Sequence, residues 1–160
     1  MAESAVRPIP RGYRTATPYL IVDGAARAID FYRKAFRAKE IMRLEQNGKI
    51  GHAEIQVGNS RIMLADEFPD MDARGPKSIG GSPVSIHLYV KDADKTFAKA
   101  VKAGAKVKHP LEDKFYGDRT GSLKDPFGHV WHLATHTEDL SMAEMKRRGA
   151  EEAKKAGGGS

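Results

Sequence analysis

The two halves of the sequence repeat one order of predicted strands and helices. In the first half, an apolar strand that ends at Val22 is followed by a helical pattern of apolar residues over 25–36. In the second half, a strand that ends at Val90 precedes a similar helical pattern over 93–104. Because self-similarity of this kind indicates duplicated units, we expect two copies of one module to build the fold.

Each predicted helix is followed by three short runs that have the alternation typical of strands. Turn residues separate the runs most clearly in the first half, at Gly48 and at Gly58-Asn59. The pattern predicts an α+β fold made of two βαβββ modules. The six runs are 39–46, 50–57 and 61–66 in the first half, and 105–109, 119–124 and 129–135 in the second.

Glycine and proline residues are concentrated in the segment 69–83, which we interpret as the linker between the modules. After the second module, Ser141 and Glu144 have the spacing of a capping box and predict a last helix. We therefore expect one domain over 13–137, with modules at about 13–68 and 84–137, a C-terminal helix over 138–156, and flexible ends at 1–12 and 157–160.

The composition of the chain excludes several kinds of functional site and partner. The chain has no cysteine, which excludes disulfides, thiolate metal sites and cysteine nucleophiles. No apolar run approaches the ~18 residues of a membrane span, so we expect no membrane partner. The net charge is +6, but the basic residues are interleaved with acidic ones and no nucleic-acid motif accompanies them. We expect no nucleic-acid partner, and a cytoplasmic location because no apolar leader is present.

Four sequence motifs resemble the vicinal oxygen chelate superfamily, which includes glyoxalases, bleomycin-resistance proteins and extradiol dioxygenases. The resemblance implies that each module curls its sheet into half of an open-barrel cavity. Two of the motifs are closer to the stand-alone, PhnB-like branch of that superfamily. The motifs are F-Y-R-K-A-F at 31–36, D-P-F-G-H-V-W-H-L at 125–133, G-H-A-E-I-Q-V-G at 51–58 and F-Y-G-D-R-T-G-S-L-K at 115–124.

Metal-dependent members of this superfamily carry four ligands in the cavity. The resemblance implies that the equivalent positions here are Thr17, Met63, Ser85 and His132. Only the histidine is a good ligand, because Thr and Ser hydroxyls bind metals poorly and a Met thioether suits soft ions. We therefore expect no metal or other cofactor at these four positions, and neither glyoxalase I nor extradiol chemistry, since both need the metal.

Strand alternation places His52, Glu54, His87 and His132 on one concave polar face. Three imidazoles and a carboxylate allow three interpretations: a divalent metal site, metal-free acid–base catalysis, or the hydrogen-bonded lining of a pocket. These four residues are our candidate catalytic or metal-binding groups. Gln56, Arg61, Met63, Ser85 and Tyr89 have the same predicted orientation, and the substrate-binding candidates are Gln56, Met63, Ser85, Tyr89, Tyr116 and Arg119.

Arg119 has two interpretations. It binds an anionic group of a ligand, or it pairs with Asp118 or Asp125 and holds the turn. Two histidines lie outside the predicted face. His109 is expected in a loop, and His136 is expected at the surface.

The resemblance implies a protein that binds or acts on a small organic molecule, with lyase- or isomerase-like chemistry. The alternative is a binding protein that sequesters a drug without catalysis, as bleomycin-resistance proteins do. Those proteins typically hold cationic ligands in an acidic groove, whereas this chain is basic. We also expect a homodimer, with Phe31 and the helix after Ser141 as candidate contacts, because open sheets leave edges to cover.

Overall fold

The computed structural model describes residues 5–158, which form two compact units divided after Ser82. Part of the predicted flexible ends, residues 1–4 and 159–160, lies outside the described residues. Each unit has the βαβββ order that the sequence predicts. No helix among residues 5–158 is long and apolar enough to cross a membrane.

The main elements of the first unit are β1 Tyr19–Val22, α1 Ala25–Phe36, β2 Lys39–Gln46, β3 Lys49–Val57 and β4 Ser60–Asp66. Its mixed sheet has the order β1-β4-β3-β2, in which only the β1–β4 pair is parallel. The predicted linker contains a 3₁₀ turn, Pro69–Met71, and a short helix, α2 (Pro76–Ile79).

The core of the first unit is formed by the apolar side of α1 and one face of the sheet. Ile29 and Tyr32 of α1 are buried, as are Ile55 and Leu64 on the strands. Asp66 fixes the start of α1, because one of its oxygens accepts hydrogen bonds from the amides of Gly24 and Ala25, at 3.0 and 2.7 Å. Phe31 is also buried, so it does not provide the exposed dimer contact that we expected.

The second unit repeats the arrangement, with the elements β5 Ser85–Tyr89, α3 Ala93–Ala103, β6 Lys106–Asp113, β7 Asp118–Lys124, β8 Val130–His136 and α4 Met142–Gly157. Its sheet has the order β5-β8-β7-β6 with a parallel β5–β8 pair. Asp92 caps α3 and accepts a hydrogen bond from the Lys95 amide at 3.1 Å.

One detail of the second unit differs from the expectation. Strand β6 includes His109, which we had placed in a loop, and continues through Pro110 to Asp113. The last helix follows Ser141, as the capping box predicts: it begins at Met142, and its N-cap Ser141 accepts a hydrogen bond from the Glu144 amide at 3.1 Å.

Candidate functional site

The predicted polar face exists in the first unit. Ala53, Ile55 and Leu64 are buried on the core side of the sheet, whereas His52 and Glu54 alternate with them and are half-buried. Pairing of β1 with β4 and of β3 with β4 aligns Tyr19, Met63 and Glu54 in one row across three strands. The strand register therefore brings a phenol, an imidazole and a carboxylate to one surface.

These three groups form a hydrogen-bonded chain, which we call the Tyr19–His52–Glu54 relay. The Tyr19 hydroxyl lies 2.9 Å from His52 Nδ1, and His52 Nε2 lies 2.7 Å from Glu54 Oε2. Because a carboxylate only accepts hydrogen bonds, Nε2 carries a proton, and in the neutral ring Nδ1 accepts the Tyr19 proton. Tyr13 donates to the other Glu54 oxygen.

The relay is half-buried at one end and accessible at the other. The Glu54 and His52 side chains are 17% and 25% exposed, while Tyr19 is 47% exposed. Partial burial raises the pKa of Tyr19. The phenol is therefore the protonated, solvent-facing end of a chain whose other end is an oriented carboxylate.

Three other first-unit candidates have different surroundings. Gln56 donates to the Gly58 carbonyl at 3.0 Å, so its amide holds a turn. Met63 is half-buried in the row with Tyr19. The Arg61 guanidinium lies 5.4 Å from the centre of the Tyr13 ring.

In the second unit, the strand register forms a row of His87, His132, Ser122 and His109, one residue from each strand. His132 Nε2 lies 3.0 Å from the Ser85 hydroxyl, and the His87 and His132 rings are 5.8 Å apart. Burial and then the neighbouring His87 lower the pKa of His132, so this imidazole is neutral near pH 7. The Ser122 hydroxyl is buried and has no partner among the described residues.

A second polar cluster lies beside this row. Tyr89 donates to Asp118 at 2.8 Å, and His136 is 2.7 Å from both Asp118 and Asp139. These two contacts raise the pKa of His136. Burial alone would raise the pKa of Asp118, but hydrogen bonds from His136 and Tyr89 outweigh it and lower the pKa. His136 is thus exposed, as predicted, and its ring takes part in a network with two carboxylates.

The last two substrate-binding candidates are held by structural contacts. Arg119 contacts Asp94 at 2.9 and 3.0 Å and Asp113 at 3.4 Å, so the expected pairs with Asp118 or Asp125 are wrong. The physical reason is alternation, since Arg119 and Asp118 are adjacent on one strand and point to opposite faces. Tyr116 packs edge-to-face on Phe115, with ring centres 5.2 Å apart.

The donors at the four family positions do not fit a metal. Thr17, Met63 and Ser85 are poor ligands for hard or borderline ions, and His132 Nε2 already faces the Ser85 hydroxyl. Within either unit, the described residues contain no group of three His, Asp or Glu side chains that could hold a metal ion.

Sequence reasoning missed two members of the first-unit cluster. Tyr19 has the same strand parity as Thr17, and extending the alternation along β1 would have found it. Tyr13 lies in a segment without periodicity, before β1, and no sequence signal places its hydroxyl on Glu54.

Comparisons with known proteins are consistent with this architecture. An uncharacterized protein of Mycobacterium tuberculosis is 45% identical over 134 residues, covering 81% of this chain and 79% of that protein. The structure of an Arabidopsis thaliana gene product has a TM-score of 0.62 at 28% identity, covering 76% of this chain and 98% of the other. The PhnB protein from Bacillus cereus shares the fold, with a TM-score of 0.58 at 17% identity and coverage of 76% and 99%.

A family model matches most of the chain, residues 14–133, and it includes both βαβββ modules. This match and the sequence relatives agree with the repeated topology of the two sheets. The chain belongs to the Glyoxalase/Bleomycin resistance protein/Dioxygenase superfamily.

Proposed function

We propose that this chain binds a small organic molecule on the polar face of its first unit and moves a proton to or from it. The reaction class is isomerase- or lyase-like. The observation that carries the proposal is the Tyr19–His52–Glu54 relay, which ends in an accessible phenol. An acid–base group oriented by a second group, which is itself held by a third, is the usual architecture of proton-transfer sites.

The hydrogen-bond directions define the proton path. The Tyr19 hydroxyl donates to His52 Nδ1, so its oxygen lone pairs remain for the substrate. When Tyr19 Oη takes a proton from a substrate carbon, the C–H electron pair stays on the substrate as an enolate. The original phenol proton moves to His52 Nδ1, and Glu54 stabilises the resulting imidazolium through Nε2. The reverse path returns a proton to a neighbouring atom.

Tyr13 has a positioning role in this scheme. Its hydroxyl donates to Glu54 Oε1, which leaves Oε2 for His52. A carboxylate held at both oxygens keeps the imidazole in one tautomer, and this tautomer is the one that accepts from Tyr19. Removing the Tyr13 hydroxyl is therefore expected to weaken proton transfer without removing any group of the relay.

The substrate class follows from the group that finally takes the proton. Burial raises the pKa of Tyr19, so Tyr19 remains a phenol and passes its proton to an imidazole, which is a weaker base than a phenolate. Such a relay removes protons only from activated carbons, such as those next to a carbonyl group. We therefore assign the substrate to small carbonyl compounds that can form an enolate.

For the second unit, we propose ligand binding through hydrogen bonds of His132 and Ser85. His132 has a lowered pKa and hydrogen-bonds Ser85, and His87 stacks beside it. A neutral imidazole such as that of His132 both donates and accepts hydrogen bonds. Tyr89 is held by Asp118 and contributes mainly its ring.

Exchange of carbon-bound protons in D₂O tests the proposal without knowledge of the natural substrate. A panel of small ketones, aldehydes and 2-oxo acids is incubated with the protein and a chelator, and loss of the α-proton signal is followed by NMR. We expect exchange of at least one compound class, reduced about 100-fold or more by Tyr19→Phe. Tyr116→Phe is the matched control and keeps the wild-type rate.

Two outcomes contradict the proposal. Equal exchange rates in wild type and Tyr19→Phe would remove the phenol from the chemistry. Tight binding of panel compounds with no exchange above the uncatalysed rate would favour a sequestering protein instead.

A further inference from the structure

Arg61 differs from the other half-buried arginines of the described chain. Residues 5–158 contain four arginines of intermediate burial, and Arg61 alone among them has no ion pair. A guanidinium that is partly withdrawn from water is normally paired with an acceptor. The three paired arginines are Arg43 with Glu40, Arg119 with Asp94, and Arg148 with Glu138.

The Nε atom of Arg61 also distinguishes it from the three ion-paired arginines. It is fully buried and has no hydrogen-bond partner among the described residues. An unmatched donor on a charged group is among the more costly features that a protein interior can contain. A ligand cannot reach Nε itself, but an anion bound at the Nη atoms would compensate the charge of the guanidinium, which has no counter-ion among residues 5–158.

The guanidinium is held firmly in place. The Tyr13 ring lies 5.4 Å from its central carbon. On another side, the backbone of Gly12 approaches so closely that an added Cβ would be 2.7 Å from Nη2. Gly12 also has a φ of 87°, which glycine tolerates and other residues rarely adopt. The segment before β1 thus fixes the cation before any ligand arrives.

The position of Arg61 connects it to the relay. Arg61 lies two residues before Met63 on β4, and residues two apart on a strand share a face. Met63 pairs with Tyr19 on one side and Glu54 on the other. Tyr13 joins the two features, because its ring packs on Arg61 and its hydroxyl binds Glu54.

We propose that Arg61 binds an anionic group, a carboxylate or a phosphate, of the molecule that reacts at Tyr19. The link to the reacting molecule rests on the proposed function, whereas anion binding by Arg61 is testable alone. A planar guanidinium matches the paired oxygens of both groups. This assigns to Arg61 the anion-binding role that sequence had suggested for Arg119, whose guanidinium is occupied by Asp94 and Asp113.

Direct binding measurements test the site with acetate and inorganic phosphate as anionic probes, and acetamide as a neutral probe shaped like acetate. Binding is followed by titration NMR on the full chain. We expect Arg61→Gln to weaken anion binding about 10-fold or more. Arg43→Gln is the matched control, because it removes a half-buried but ion-paired guanidinium from the same sheet, and it should change binding less than about 2-fold.

A second variant, at Gly12, keeps the positive charge of Arg61 but displaces its guanidinium. Gly12→Ala places a methyl carbon 2.7 Å from Nη2, so the guanidinium has to move and anion binding should weaken while the net charge stays the same. This variant carries the test if Arg61→Gln unfolds. Acetate and phosphate titrations, compared with each other, show which anion the site prefers.

Three results would overturn the inference: equal weakening in Arg61→Gln and Arg43→Gln, no weakening in Arg61→Gln, or equal binding of acetate and acetamide. The D₂O exchange assay separates this failure from failure of the proposed function. If exchange depends on Tyr19 but not on Arg61, for both anionic and neutral compounds, only the proposed anion site is contradicted. Arg61-dependent anion binding without any exchange leaves the anion site standing and removes the proton-transfer proposal.

Discussion

A single buried carboxylate organises the D-P-F-G-H turn. Asp125 accepts from the amides of Phe127 and His129 at 2.9 Å each, and from the Trp131 indole at 2.8 Å. Gly128 completes the turn with a φ of 94°, which a residue with a side chain rarely adopts. The motif therefore marks the fold because one side chain satisfies three buried donors.

Asp125→Ala is predicted to lower the free energy of unfolding by about 3 kcal/mol, since it leaves three buried donors without their acceptor. Denaturant titration measures this. Asp70→Ala, at an exposed position, should change stability by no more than about 0.5 kcal/mol. A loss of similar size in both variants would contradict the assigned role.

His136 is predicted to give a pH-dependent contribution to stability. Its pKa is raised by Asp118 and Asp139, so the folded state holds the proton more tightly than the unfolded chain. The stabilisation is fully present below the ordinary pKa of about 6.5 and is lost as pH rises through the raised value. The lowered pKa of His132 changes stability with pH in the opposite direction. The test therefore measures how much His136→Asn changes stability at each pH, not the pH dependence of the wild type alone.

The stability difference between wild type and His136→Asn should be larger at about pH 6 than at about pH 8.5. Denaturant midpoints at the two pH values measure it, and NMR titration assigns the shifted imidazole. An equal stability difference between wild type and variant at both pH values would show that Asp118 and Asp139 do not stabilise the fold through protonated His136.

Strand alternation predicted which way side chains on the strands point, but not which residues of other elements they contact. Alternation placed His52 and Glu54 correctly on one polar face, because the neighbouring apolar residues fix the register. It could not identify Tyr13 or the partners of Arg119, since both contacts join segments that are distant in sequence. Side-chain pairing across elements is decided by tertiary packing, which a local pattern does not contain.

At the scale of elements, the two modules were predictable because their strands and helices have clear periodicity. Strand β6 was predicted too short, since Pro110 and His109 suggest a loop. The structure accommodates them with shifts of register on both sides of His109, where the β6–β7 ladder is irregular. A bulged edge strand tolerates proline because it needs fewer ladder hydrogen bonds.

Gly121 is predicted to be essential for the packing of β7. An added Cβ would be 2.9 Å from the His109 carbonyl, the Leu111 amide and the Phe97 ring. Gly121→Ala should therefore lower the free energy of unfolding by about 1–3 kcal/mol. Gly51→Ala, whose Cβ would have only ordinary contacts from 3.7 Å, is the strand control and should be close to neutral. Equal stability of both variants would contradict the close approach.

At the scale of the whole molecule, duplication of one module has produced two faces with different chemistry. The first unit has the Tyr19–His52–Glu54 relay and, among residues 5–158, the one half-buried arginine without an ion pair. At the corresponding row of the second unit are histidines, of which His132 has a lowered pKa, and a buried serine hydroxyl. The repeated backbone thus carries different polar groups in the two units, and the proposed proton path belongs to the first.

The chain is predicted to form a homodimer at micromolar concentration. Each unit contains an open four-stranded sheet, and the edge strand β2 exposes Ile41 and Leu44, the latter by 56%. Open edges with exposed apolar residues favour association. Light scattering measures the mass, Leu44→Glu should shift it towards the monomer, and a monomeric wild type would contradict the expectation.

The most direct test of the account is the protonation pattern of His52 in the ligand-free protein. Long-range ¹H–¹⁵N NMR at about pH 8.5 distinguishes the two neutral tautomers of an imidazole. The relay predicts a proton on Nε2, facing Glu54, and an unprotonated Nδ1 whose resonance shifts when Tyr19→Phe removes its donor. A proton on Nδ1, or a His52 spectrum that Tyr19→Phe leaves unchanged, would contradict the proton path on which the proposed function depends.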